Sequence, residues 1–189
     1  MSRRLRCFVG IPLSSQVRGR LEREIGFLQL AGAPVRWVPK ENMHITVRFL
    51  GEIDPDEVIP VCRVLEEVAD EVPRHRLEIR KLILFPPGKP PRVIASGVEG
   101  DTDKLLATFN LLQDRFETIG FRREQRRLMP HVTLGRLKGP PGEDLLNRVE
   151  RAKARGFGVV DVNALHLILS ERSPNGAVYS SMEAVDLLG

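Results

Sequence analysis

Cysteine is nearly absent. Cys7 and Cys62 are the only two in 189 residues, too few for the disulfide framework of a small secreted scaffold, and both read as small apolar core residues. Long apolar runs are missing too, since nothing approaches the ~20 residues of a membrane span. The basic start Met1-Ser2-Arg3-Arg4-Leu5-Arg6 leads into a short apolar stretch with no small-residue cleavage pattern, so it does not read as an export signal. A cytoplasmic chain without membrane contact is expected. No low-complexity linker divides it, so residues 1–189 are expected to form one domain. Neither sign of charge dominates: Lys and Arg number 29 against 25 Asp and Glu, a net charge of +4, with a pI near 9.4. That balance permits a polyanionic partner without requiring one. There is no His-x-x-x-His, no Cys-x-x-Cys, no P-loop and no Gly-x-Gly-x-x-Gly, so neither a metal nor a nucleotide cofactor is expected.

A core is within reach, with hydrophobic residues at 42% and charged residues at 29%. Proline and glycine gather at Phe85-Pro86-Pro87-Gly88-Lys89-Pro90-Pro91, at Gly139-Pro140-Pro141-Gly142 and at Ser173-Pro174-Asn175-Gly176, each marking a loop. Before the first cluster the pattern reads strand from Cys7 to Pro12, helix from about Gln16 to Leu30 after the cap residues Ser14-Ser15, and strand from Ile45 to Leu50 ended by Gly51. A helix from about Asp56 to Glu71 and a strand from Leu77 to Phe85 follow. After the cluster the order repeats. The reading is strand from Val93 to Gly97, helix from Asp101 to about Ile119, strand from Val132 to Leu137, helix from Glu143 to Ala154, and a strand or strand pair from Val159 to Ser170. Phe8 to His44 and Ile94 to His131 are nearly the same distance along the chain. Equal order and spacing point to a duplicated β-α-β-α-β unit, hence two pseudo-symmetric lobes of roughly 1–88 and 89–189 with room for exchange of terminal strands.

The same short pattern stands at corresponding places in the two halves: His44-Ile45-Thr46-Val47 and His131-Val132-Thr133-Leu134. Alternate strand residues share a face, so His44 projects with Thr46, and His131 with Thr133, while the apolar neighbours turn to the core. If the polar faces meet in one cleft, two imidazoles flank a bound group. Histidine, with an ordinary pKa near 6.5, gains or loses a proton around neutral pH, so one imidazole can act as base while the other, protonated, acts as acid. Thr46, Thr133 and Arg136 are candidates to hold the non-bridging oxygens of a phosphate. Residue types alone leave open which histidine is which.

Other residues have plainer readings. His75 is expected in a solvated loop at a strand start, and His166 half-buried and bonded to a neighbour. Arg122, Arg123, Arg126 and Arg127 are candidate contacts to RNA phosphates, or a solvated charged loop. Trp37, the single tryptophan, either packs or stacks on an unpaired base.

The twin His-x-Thr-x motifs resemble the signature of the 2H phosphoesterase superfamily. With Phe8-Val9-Gly10-Ile11-Pro12-Leu13, Arg48-Phe49-Leu50-Gly51, Pro130 and Arg136 around them, the chain is similar to the RNA 2′,3′-cyclic phosphodiesterases, or 2′-5′ RNA ligase family, from about Leu5 to Tyr179. The resemblance implies a bilobal α+β fold with mainly antiparallel sheets around a central cleft. It also implies metal-independent hydrolysis of RNA 2′,3′-cyclic phosphate ends to 2′-phosphomonoesters, with transfer-RNA halves or small cyclic nucleotides as substrates. By position His44 would donate a proton to the leaving 3′ oxygen and His131 would activate water; Thr46, Thr133 and Arg136 would hold the phosphate. Gly135 departs from the family, which often carries a side chain there. A monomer is expected. The rival readings are joining of RNA ends through a 2′-5′ linkage and a non-catalytic RNA- or nucleotide-binding module.

Overall fold

Local chemistry sets where the elements begin. In a computed structural model the described residues, 3–87, 89–174 and 176–189, form nine strands and four α-helices. The order is β1 Leu5–Pro12, α1 Ser15–Gln29, β2 Val35–Trp37, β3 His44–Ile53, α2 Val58–Ala69, β4 His75–Phe85, β5 Val93–Gly100 and α3 Thr102–Thr118. Then come β6 His131–Leu137, α4 Gly142–Arg151, β7 Gly156–Val162, β8 Ala164–Ser173 and β9 Gly176–Asp186. Ser14 caps α1, its hydroxyl accepting from the Val17 amide at 3.3 Å. Asp54 and Glu57 form a capping box on the short 3₁₀ turn that leads into α2. In α2, Val61, Val64, Leu65 and Val68 recur at helical spacing and are all buried, each contributing about 1.5–3 kcal/mol of burial. Met1, Ser2, Gly88 and Asn175 lie outside the described residues, and with them parts of the basic start and of two loop clusters.

The fold is α+β, as the pattern implies. Its strands form an antiparallel sheet in the order β7-β4-β5-β6-β3-β1-β8-β9, with β2 on β6. The sheet is continuous because β3 and β6 join in the middle, through Ile45 opposite Val132. On either side the order is crossed: β4 pairs with β5 and β7, while β8 pairs with β1 and β9. The stretch read as one strand or two divides at Asn163 into β7 and β8, which lie on opposite halves of the sheet. The helices bury their apolar stripes against one face, in a core with Val9, Ile11, Ile45, Val47, Val132, Leu134, Leu165 and Leu167. The other face is left for the polar residues. Cys7 is buried in that core and Cys62 is half-buried; burial, reinforced by Cys62, pushes the Cys7 thiol up to about 11.

Two expectations change. Gly51 does not end β3, which continues to Ile53. The register slips there so that Cys7 faces Gly51 and Phe8 faces Phe49, and the positive φ of 81° at Gly51 bends the strand around this bulge. β9, like the short β2, has no counterpart in the sequence reading. Most of it is exposed, and pairing with β8 over its whole length holds it.

Candidate active site

β3 and β6 carry the two motifs as neighbouring antiparallel strands. With Ile45 opposite Val132, the register continues to place Thr133 across from His44 and His131 across from Thr46. The apolar partners are buried, and all four polar residues are half-buried on the opposite face. One residue after each threonine both strands bulge: Val9 and Gly10 face Arg48 and Thr46, skipping Val47, and Ile94 and Ala95 face Gly135 and Thr133, skipping Leu134. These bulges turn Arg48 and Gly135 to the core side, opposite Val9 and Ile94.

Each motif imidazole is locked in the same way. His44 Nδ1–H donates to the carbonyl of Asn42 at 2.7 Å, and His131 Nδ1–H to that of Met129 at 2.7 Å. Each ring therefore turns Nε2 to the open face. His44 Nε2 lies 2.9 Å from Thr46 Oγ1 and, when neutral, accepts its hydroxyl hydrogen. The rings differ in cover. His44 sits on Phe8, centroids 4.6 Å apart, with the edge of Tyr179 at 5.1 Å, whereas His131 has Phe85 at 4.9 Å. Burial lowers the His44 pKa below its ordinary 6.5; the Asn42 carbonyl opposes this, and the positive charge His131 acquires adds to it.

Arg136 is exposed and stands opposite Val93 and Arg36, a register that puts it on the face of His131 and Thr133. Arg36 shares that face, and its Nη2 reaches to 2.7 Å from where a Cβ on Gly176 would sit. Trp37 and Val35 fill the space a Gly135 side chain would need: Val35 Cγ1 is 2.6 Å and Trp37 Cε3 2.9 Å from that Cβ position. Gly135 is thus a packing feature, and Trp37 packs against the core, not as a free stacking platform.

The basic loop is not uniform. Arg123 is held by Asp114 at 2.6 Å and Glu117 at 3.0 Å, bonds that raise its pKa further. Arg122, Arg126 and Arg127 are exposed and form no ion pair among the described residues. Arg48 is buried and donates to the carbonyls of Phe49 and Arg122, so it anchors this loop from beneath. His75 is not in a solvated loop. It is 5% exposed in β4, with Nδ1 on the Pro73 carbonyl at 3.1 Å and Nε2 unpartnered. His166 is half-buried and meets Ser181 at 2.9 Å. The chain holds two Asp-x-Asp pairs, Asp54-Pro55-Asp56 and Asp101-Thr102-Asp103, and the first carboxylate of each is engaged. Asp54 pairs with Arg4 at 3.1 Å, and Asp101 accepts from the Arg76 amide at 3.1 Å. Sequence reasoning missed Tyr179 and Arg36; a lone tyrosine or arginine outside any motif carries no signal of its own.

The two paired strands are the ones whose His-x-Thr motifs carry the resemblance to 2H phosphoesterases. The family model described as LigT like Phosphoesterase matches residues 11–95 and 98–179. An RNA 2′,3′-cyclic phosphodiesterase of Aeropyrum pernix is 32% identical over 88% of this chain and 94% of its own. One from Methanothermobacter thermautotrophicus is 30% identical over 97% of this chain and all of its own, 100%. The crystal structure of TT0787 from Thermus thermophilus superposes with a TM-score of 0.81 at 25% identity, covering 96% of this chain and 97% of that one. The chain belongs to the LigT-like phosphoesterase family.

Proposed function

We propose that this chain hydrolyses the 2′,3′-cyclic phosphate at an RNA 3′ end to a 2′-phosphomonoester by two-histidine acid–base catalysis without a metal. The observation that carries this is the square of His44, Thr46, His131 and Thr133 on one face of two paired strands. The names of the relatives, RNA 2′,3′-cyclic phosphodiesterase, support the substrate. Water attacks phosphorus on the His131 side and gives a proton to His131 Nε2. The bond from phosphorus to the 3′ oxygen breaks, and that oxygen takes the proton of His44 Nε2. Thr46 and Thr133 hydroxyls and the Arg136 guanidinium hold the non-bridging oxygens, where charge builds in the transition state. Thr46 is already placed to exchange its bond to His44 for one to the phosphate. Arg122, Arg126 and Arg127 contact the flanking RNA backbone. Both motifs come from one chain, so a single copy completes the site and a monomer suffices.

The test is a short labelled RNA ending in a cyclic phosphate, incubated with chelator. Turnover to the 2′-phosphate is expected, with losses of about 10²–10⁴-fold in both His44→Ala and His131→Ala. Full activity in either variant overturns the two-histidine mechanism, and activity that needs an added divalent ion overturns metal independence. A longer product with a 5′-hydroxyl RNA present would mean end joining instead. Binding without turnover would mean a non-catalytic module.

A further inference from the structure

Asn42 is engaged at both ends. Its main-chain carbonyl accepts His44 Nδ1–H at 2.7 Å, while its side-chain Nδ2 donates to the carbonyl of Ala177 at 2.6 Å, 135 residues away. Ala177 lies near the tip of the β8–β9 hairpin, two residues before Tyr179. We propose that Asn42 is a positioning residue: its side-chain amide holds the hairpin across the site, and so sets Tyr179 edge-on against the His44 imidazole.

The hairpin needs such a tie. β9 is an edge strand paired only with β8, and its residues from Val178 to Ala184, other than half-buried Tyr179, are exposed. The pairing slips between Leu167 and Ile168, and a bulge there weakens the ladder between the tip and the better-buried end. Beyond the bulge β8 is still paired with β1 at Ile168 and Leu169, while the start of β9 meets the rest of the protein through the Asn42 amide, the Arg36 guanidinium beside Gly176 and the contact of Tyr179 with Phe8. With the tip held, Tyr179 stands at 86° to His44 and 79° to Phe8, and the three rings form a triangle in mutual contact. Among the described residues the second motif has no such device. Met129, whose carbonyl takes His131 Nδ1–H, carries an apolar side chain that is 51% exposed. Asn42 therefore acts on one histidine of a pseudo-symmetric pair. The groups facing His44 are Phe8 from β1, Thr46 from its own strand, Tyr179 from β9 and, as the charged influence, His131 from β6.

The catalytic part of this inference rests on the reading of His44 as a proton donor, but its first test does not. Each histidine is titrated by nitrogen NMR in the full chain. Asn42→Ala and Tyr179→Ala are both expected to move the His44 titration upward, because burial of the ring is relieved. The Nδ1–H tautomer stays, since its acceptor is main-chain. Tyr179→Phe keeps the edge packing and the wild-type titration. Combining Asn42→Ala with Tyr179→Ala should shift His44 no further than one change does. On the cyclic-phosphate RNA, Asn42→Ala should lower kcat about tenfold with KM within about twofold, the mark of impaired orientation rather than impaired binding. An unmoved His44 titration in Asn42→Ala, with only a lower Tm, overturns the proposal, as does a Tyr179→Ala protein that titrates like wild type. If the wild type leaves the RNA intact, the functional reading fails while the NMR result still decides the role of Asn42.

Discussion

Ile45 of β3 lies directly opposite Val132 of β6. This single pairing joins the two halves of the sheet, and it brings the two His-x-Thr motifs side by side. Because side chains alternate, burying Ile45 and Val132 obliges His44, Thr46, His131 and Thr133 to emerge together on the other face. If that face is one site, inorganic phosphate titrated into the protein should perturb the NMR signals of His44 and His131 together, along one binding curve. Two curves, or movement of one imidazole alone, would show that the motifs do not share an anion.

The unequal cover of the two rings has a kinetic consequence. Burial holds His44 below its ordinary pKa of 6.5. In His131→Ala, where His44 is the remaining motif imidazole, a reaction that needs protonated His44 is lost as pH rises through that lowered value, so the residual kcat/KM should decline on the alkaline side from a pH below 6.5. Phe8→Ala, which uncovers the ring, should move this limb upward. If His44 were the base instead, that residual activity would fall as pH drops through the same value, so the pH–rate profile of His131→Ala separates the two.

The basic loop divides by pairing. Replacing Arg122, Arg126 or Arg127 by Ala should weaken RNA binding and flatten its salt dependence. The log–log slope should fall by about 0.7 for each single-strand phosphate that is no longer neutralised. Arg123→Ala should leave that slope alone, because its guanidinium is held by Asp114 and Glu117. Its effect on stability should be small, because exposed ion pairs contribute little. Affinity measured across a salt series checks both halves.

Gly135→Ala tests the packing behind the second motif. A methyl group would sit 2.6 Å from Val35 Cγ1 and 2.9 Å from Trp37 Cε3, closer than atoms pack. Overpacking of this kind costs about 1–3 kcal/mol. Denaturant unfolding should show the destabilisation, and Trp37 fluorescence should shift as the indole moves.

Much of the site was legible in the chain. His-x-Thr flanked by apolar residues specifies a strand with one wet face, and two copies at matched spacing specify a pair. Strict alternation breaks down after the threonines. The bulges at Val47 and Leu134 turn Arg48 inward to bind the carbonyls of Phe49 and Arg122, and no periodic pattern announces a bulge. His75 read as a loop residue because Pro73 and Arg74 precede it, yet β4 begins at His75 and buries it. β9 escaped notice because an exposed edge strand held by backbone bonds carries no burial pattern to read.

The amino-acid sequence by itself determined the helices and the strands with a buried face, which face of each is apolar, and which imidazoles and hydroxyls share a strand face. Local propensity, capping and side-chain alternation act within a few residues and are written there. Tertiary structure decided that β4 and β8 cross to the opposite halves of the sheet, that Asn42 reaches Ala177, and that Tyr179 closes on His44. Those interactions join residues far apart in the chain, and they form only when burial of a shared core brings the strands together.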